Sequence, residues 1–214
     1  MLLVKSIIPG LLFAAINAFG APMTFKDSTV LMIEGAKDFK RIESSYAVSG
    51  KESIGLRLFN AKGQRRKVDG GGLFYLNRIK RVNKTNSQAN IWLYLELGQF
   101  NLDKRNVEKN HIYLSPSIQF DYETKRLYTS LSHQVLRGAH ENFDRTQFKS
   151  GFSFYEASYE KTQPWFILEV MNMNSLSKKV AVIPTLRLIN KALFFEAGIS
   201  TKGEPKLHLS LIHI

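Results

Sequence analysis

A period of two constrains this chain more than anything else in it. From about Thr29 to the C-terminus, apolar and polar residues alternate in stretches of roughly ten, each closed by a polar turn. Two clear stretches run from Asn90 to Gly98 and from Ala192 to Ser200. Ile91, Leu93, Leu95 and Leu97 share one face of the first, and Leu193, Phe195, Ala197 and Ile199 share one face of the second. Successive side chains of a strand point to opposite faces, so this spacing specifies β-structure. The intervening positions carry Glu96 with Gly98, and Glu196 with Gly198. Carboxylates recurring on the second face argue against a dry core on both sides.

What precedes the alternation narrows it further. Between Met1 and Gly20 the only charge is Lys5, residues 7–16 are mostly apolar, and Ala18-Phe19-Gly20 offers small residues where a signal peptidase reads. This predicts an export signal over 1–20, cleaved before Ala21. The apolar run falls short of the ~20 residues of a spanning helix, and no later run approaches that length. The remaining 21–214 reads as one domain, with no linker dividing it. It has no cysteine, so an exported domain of this kind must be held by its own hydrogen-bonded framework. An export signal ahead of alternating strands reads as an all-β antiparallel up-and-down barrel in the outer membrane of a Gram-negative bacterium.

The formal charge is +12. Gln64-Arg65-Arg66-Lys67, Arg78-Ile79-Lys80-Arg81 and Asp103-Lys104-Arg105 are read as basic turns. Export argues against nucleic acid as a partner. Outer-membrane lipid and lipopolysaccharide are the expected ones, together with the barrel-assembly machinery. Ordinary solvated turns explain the same clusters equally well. The oligomeric state is not legible.

Strands are expected at 29–35, 41–48, 53–60, 72–81, 89–98, 112–122, 125–134, 146–156, 165–172, 179–188, 192–200 and 206–214, about twelve with ten as the alternative. Short turns alternate with two longer polar segments, 101–110 and 136–144, which are assigned to loops on the extracellular side. Gly70-Gly71-Gly72 reads as a flexible turn entering a strand.

The alternation also assigns faces. Ile54, Leu56 and Leu58 lie opposite Arg57; Phe166, Leu168 and Val170 lie opposite Glu169; Leu186 and Leu188 lie opposite Arg187. A cation facing lipid near the midplane costs ~2–4 kcal/mol, so the charged face must be inside. Arg57, Glu96, Glu169, Arg187 and Glu196 then form a lumenal set of opposite charges. The set either braces a narrow lumen or lines a small polar pore, and bracing fits a barrel of this size better. Aromatic residues at strand ends, among them Tyr46, Phe59, Phe74, Tyr75, Trp92, Phe100, Tyr113, Phe120, Tyr122, Tyr128, Phe154, Tyr155, Tyr159 and Trp165, suggest belts at the two interfaces.

Several segments carry a family resemblance. They are Pro22-Met23-Thr24-Phe25-Lys26-Asp27-Ser28, Ser87-Gln88-Ala89-Asn90-Ile91-Trp92, Phe120-Asp121-Tyr122-Glu123-Thr124-Lys125-Arg126, Gly151-Phe152-Ser153-Phe154-Tyr155-Glu156-Ala157, Thr162-Gln163-Pro164-Trp165-Phe166 and Pro184-Thr185-Leu186-Arg187-Leu188-Ile189-Asn190-Lys191. Together they resemble a poorly characterised family of proteobacterial outer-membrane β-barrel proteins. The resemblance implies a barrel fold and, because such genes often stand beside copper or other heavy-metal efflux systems, a link to envelope metal tolerance. It brings no functional residues.

Chemistry-bearing residues are sparse. His111, His133, His140, His208 and His213 show no zinc-ligand spacing with Cys, Asp or Glu. Met171 and Met173 place two thioethers on one face at a strand end, a soft pair suited to Cu(I) and equally to an apolar strand end. Ser130-Leu131-Ser132-His133 and His208-Leu209-Ser210 bring serine near histidine, the minimum for a lipid-modifying hydrolase. Ser132 and His133 are adjacent and so face opposite ways. No cofactor is expected. Leu209-Ser210-Leu211-Ile212-His213-Ile214 is also the translation of a common transposon-library sequencing adapter, so an adapter-derived end is expected there, although the residues alternate as a final strand would. A native barrel of this type usually ends in an aromatic, and Ile214 departs from that.

The leading expectation is a non-enzymatic outer-membrane barrel with a narrow or closed lumen, serving small-solute passage or as an accessory to envelope metal efflux. A soluble periplasmic barrel with an apolar ligand inside, and a lipid-modifying enzyme, are the alternatives.

Overall fold

A computed structural model describes residues 25–62, 67–104, 107–138, 141–158, 160–174 and 180–213, without the side chains of 102–104, 107–109 and 141. The export signal, Tyr159, His140 and Ile214 lie outside these residues.

Twelve strands follow in chain order: β1 (Thr29–Ala36), β2 (Phe39–Ala47), β3 (Glu52–Lys62), β4 (Lys67–Lys84), β5 (Ser87–Lys104), β6 (Val107–Thr124), β7 (Leu127–Gly138), β8 (Glu141–Ser153), β9 (Gln163–Asn174), β10 (Ala181–Asn190), β11 (Leu193–Ile199) and β12 (Pro205–His213). Each pairs antiparallel with its sequence neighbours, and β1 pairs with β12 from Thr29↔His213 to Ala36↔Lys206. The result is a closed up-and-down barrel. Closure leaves no edge strand, so within the ladders the backbone polar groups bond from strand to strand rather than to water.

The outer surface is apolar. Ile54, Leu56 and Leu58 on β3, Leu93, Leu95 and Leu97 on β5, and Ile112, Leu114 and Ile118 on β6 are all exposed. An apolar band of this extent suits lipid rather than water, which makes the fold a transmembrane barrel. It also removes the soluble alternative, which needs the large aliphatic side chains inside.

Several sequence expectations are corrected. Gly70, Gly71 and Gly72 are not a turn but lie inside β4, opposite Phe59, Leu58 and Arg57 on β3. Gly72 faces Gly98 across the β4–β5 ladder, and a Cβ there would come within 2.9 Å of the Gly98 Cα. The glycines serve close approach rather than flexibility. Arg78 to Arg81 likewise sit in β4, where the ladder slips by one residue between Arg78 and Lys80. The two long loops are hairpin ladders. Asn101 pairs with Asn110 and Lys104 with Val107, while Leu136 pairs with Phe143 and Gly138 with Glu141. Polar composition, read as loop, belongs there to strands carried past the apolar band. Conversely, β8 stops at Ser153 rather than reaching Glu156, and 154–162 connects it to β9.

The aromatic assignment divides. Phe74, Trp92, Phe100, Tyr113, Tyr128 and Trp165 are buried and point inward. Tyr46, Tyr75, Phe120, Tyr122, Phe154 and Tyr155 are exposed. By their positions in the strands, these exposed rings lie toward the rim that carries Thr29 and His213, here the terminal rim. They form one outer girdle, not two.

Candidate functional site: the barrel lumen

The inward faces of the strands stack in three layers between the rims. At the rim away from the termini, Phe39, Ala61, Val68, Phe100, Tyr113, Leu136 and Phe143 form one apolar cluster. Phe100 of β5 meets Phe143 of β8, three strands away, edge-on at 6.5 Å, so the cluster bridges neighbouring parts of the inner wall. Toward the terminal rim lie two more clusters. One contains Ala47, Phe74, Leu76, Trp92 and Tyr94, the other Tyr128, Trp165, Ile167, Ile189 and Phe194. Between these apolar layers lies a charged one.

All five charges expected in the lumen are there and buried: Arg57, Glu96, Glu169, Arg187 and Glu196. Arg57 of β3 donates from Nε to Glu43 of β2 at 2.7 Å, and its guanidinium reaches past β4 to Glu96 of β5. Tyr113 donates its hydroxyl to the same Glu96. Arg187 of β10 donates to Glu196 of β11 at 2.9 Å, with the Tyr128 ring 4.3 Å from its guanidinium carbon. Glu169 pairs with neither arginine. Its partners are Lys206, Lys149 at 3.6 Å and the Gln147 amide at 2.8 Å.

The sequence reading missed the centre of this layer, Glu34. Its carboxylate accepts from Arg145 at 2.7 and 3.3 Å, and lies 3.0 Å from Arg41 and 3.1 Å from Lys206. Around the barrel, β1 and β8 are five strands apart one way and seven the other. The forked Arg145–Glu34 pair is therefore a strut across the lumen, with the planar geometry that suits arginine to carboxylate. Arg145 also lies over the ring of Phe39, 4.7 Å from its centroid. Lys149 of β8 makes a second long reach, to Glu196 of β11 at 2.8 Å. One signal for these residues was available. Glu34 follows outward-facing Ile33, and Lys149 follows outward-facing Phe148, so parity alone puts both inside.

The remaining candidates disperse. Met171 and Met173 do share the inward face of β9, and Met173 packs against the apolar cluster of Phe39. Among the described residues no three His, Cys, Asp or Glu side chains gather as a metal-binding group. His133 sits on the outer face, bonded to Thr146 at 2.9 Å, while Ser132 lines the lumen. His208 and Ser210 both face inward, but the contact His208 makes is from Nδ1 to Glu196, at 3.1 Å. Closer to the terminal rim, Asp121 accepts from Trp92 Nε1 at 2.9 Å and from Asn90 at 3.1 Å, and Arg81 donates to Asn90 at 2.7 Å. Outside the strands, Lys37 and Glu204 pair at 2.8 Å. That bond holds the lysine above its ordinary pKa and the carboxyl below its own.

Among the described residues the lumen holds a polar and an apolar cavity. A polar one of ≈ 110 Å³ lies in the charged layer, among Arg41, Arg57, Arg145, Lys149, Glu34 and Glu43. An apolar one of ≈ 50 Å³ lies beneath Phe39, Leu136, Phe143 and Met173. Neither approaches the several hundred Å³ of a small-molecule pocket.

No protein-family model matches the chain, and no curated protein does. Solved structures do. A KdgM porin in complex with disordered oligogalacturonate superposes with a TM-score of 0.51 at 11% identity, over 87% of this chain and 98% of that one. A second KdgM porin structure gives 0.47 at 13% identity with the same coverage. A loop-deletion mutant of OmpT, an outer membrane protein of Vibrio cholerae, gives 0.36 at 8% identity, over 87% and 96%. At these identities the likeness is one of fold alone: a closed antiparallel outer-membrane β-barrel.

Proposed function

We propose that this chain is a non-enzymatic outer-membrane barrel whose lumen is held shut by ion pairs, admitting at most solutes of a few heavy atoms. The carrying observation is the forked Arg145–Glu34 pair between strands on opposite sides of the barrel. Apolar clusters above and below it narrow the remaining path. A porin that passes oligosaccharides needs a continuous wet channel, and an oligogalacturonate has no room here beside these side chains. Export to the outer membrane, insertion by the barrel-assembly machinery and contact with lipopolysaccharide complete the reading. The apolar girth and the exposed aromatic girdle support it. An accessory part in metal export rests on the family resemblance alone.

Liposome swelling tests the closed lumen. Vesicles carrying the full chain should swell in arabinose or a disaccharide no faster than protein-free vesicles. Swelling in disaccharide at the rate of an open porin would overturn the reading. Fractionation with the outer membrane, and migration on gels that changes on heating, are expected. Release by osmotic shock without detergent would place the protein elsewhere.

A further inference from the structure

Every cation around the polar cavity already has its carboxylate. Arg41 meets Glu34 and Glu43, Arg57 meets Glu43 and Glu96, Arg145 meets Glu34, and Lys149 meets Glu196 and Glu169. An ion entering here would shed its hydration with no unmatched charge to replace it. What the cavity offers instead is neutral hydrogen bonding. Ser117 and Gln119 of β6, with Ser132 and Gln134 of β7, line the side across from Glu34, since β7 stands six strands from β1 either way round the barrel. All four are on the inner wall yet only partly buried, so they border open space rather than packed side chains. Ser117, Gln119 and Ser132 make no side-chain hydrogen bond to another described residue. Two more wall atoms, Nε2 of His208 and Nε of Arg145, are buried without a partner among the described residues. The ≈ 110 Å³ between these groups holds several water-sized bodies.

Polar side chains also lead away from the cavity at both ends. Toward the terminal rim, one apolar cluster belongs to β2, β4 and β5 and the other to β7, β9, β10 and β11. Between them runs β6, which carries Asp121 inward beside Asn90 of β5. Toward the other rim the apolar cluster is drawn from β2 to β8, while β10 and β12 present Thr185 and Lys206 inward. The two polar gaps lie on different sides of the barrel, and the cavity stands between them.

We propose that the lumen passes small uncharged hydrogen-bonding solutes, the class of water, formamide and urea, with the polar cavity as their station, and holds back ions. The proposal rests on the closed-lumen reading, since a wide wet channel would not sort solutes of this size. A neutral solute exchanges its hydrogen bonds to water for bonds to Ser117, Gln119 and Ser132, and leaves the ion pairs of the strut intact. An ion would have to take a partner from one of those pairs, which strands a buried charge.

Stopped-flow light scattering from phospholipid vesicles carrying the full chain tests this. Added urea first shrinks the vesicles, and its entry lets them recover. Recovery should be several-fold faster than in protein-free vesicles, while vesicles shrunk with potassium chloride or a disaccharide should recover no faster than protein-free ones. Ser117→Val with Ser132→Val replaces both hydroxyls of the wall by carbon and should return urea recovery to the protein-free rate. Gln119→Leu removes the amide at nearly the same volume and should slow recovery as well, so the test does not depend on one variant folding. Migration on gels that changes on heating confirms the fold of each. Urea recovery no faster than in protein-free vesicles, wild-type recovery in both folded variants, or potassium chloride entering as fast as urea overturns the inference. If disaccharide stays out in those experiments, the closed lumen stands without it. Entry of disaccharide overturns both.

Discussion

Replacing Glu34 by glutamine should damage this barrel more than any other single change in the charged layer. The Glu34 carboxylate receives three cations: Arg145 at 2.7 and 3.3 Å, Arg41 at 3.0 Å and Lys206 at 3.1 Å. The glutamine amide keeps one oxygen but turns an NH₂ group toward guanidinium or ammonium. Breaking a buried pair by removing one partner costs about 3–5 kcal/mol, because the surviving charge stays buried and unmet. Arg41 and Lys206 retain other carboxylates, Glu43 at 3.2 Å and Glu169, but Arg145 has no second carboxylate within ion-pair distance among the described residues. The expected loss for Glu34→Gln is therefore about 3–5 kcal/mol. Arg145→Gln removes the same strut but leaves Glu34 with Arg41 and Lys206. Its cost should be near that of a charged hydrogen bond, about 1.5–3 kcal/mol. Urea unfolding in detergent, followed by the fluorescence of inward-facing Trp92 and Trp165, measures both. An Arg145→Gln penalty equal to or above that of Glu34→Gln would refute the assignment of Glu34 as the hub. So would a Glu34→Gln penalty below about 1 kcal/mol.

Three further expectations follow from other parts of the barrel. Gly98→Val should cost about 1–3 kcal/mol in the same urea assay, because a Cβ there meets the Gly72 Cα at 2.7 Å and the Tyr113 ring at 2.8 Å. Wild-type stability in that variant would show that the β4–β5 contact is looser than described. Leu56→Arg, on the exposed outer face, should cost about 2–4 kcal/mol in lipid vesicles, and no penalty there would mean that β3 does not face lipid. The Met171→Ser, Met173→Ser double variant should lose about 2–5 kcal/mol of stability while leaving Cu(I) affinity unchanged by competition titration, since Met171 is buried and Met173 packs on the apolar cluster. Weakened Cu(I) binding with stability intact would instead make the pair a metal site.

The strand count and the orientation of the wall were legible because both follow from parity. Once Leu56 is outside, Arg57 is inside, and the same step fixes Glu96, Glu169, Arg187 and Glu196. Parity was harder to use where the outer face is polar: Lys40 and Ser44 flank the stretch around Glu43, which does not stand out as amphipathic. The partnerships were not legible at all. Arg145 and Glu34 are 111 residues apart and meet only because the barrel closes. Inward aromatics were misplaced for a related reason: Trp92 and Trp165 occupy strand ends as an interfacial belt would, but their parity matches Glu96 and Glu169. The polar segments 101–110 and 136–144 show that polar composition does not mean the absence of pairing.

The closed lumen is the central claim, and single-channel recording in planar bilayers tests it most directly. Wild-type protein should show no steady ohmic channel in concentrated potassium chloride, whereas the Glu34→Gln, Arg145→Gln double variant should open to a measurable, fluctuating conductance as the strut between β1 and β8 is lost. A large and stable conductance from the wild type, unchanged in the double variant, would contradict it.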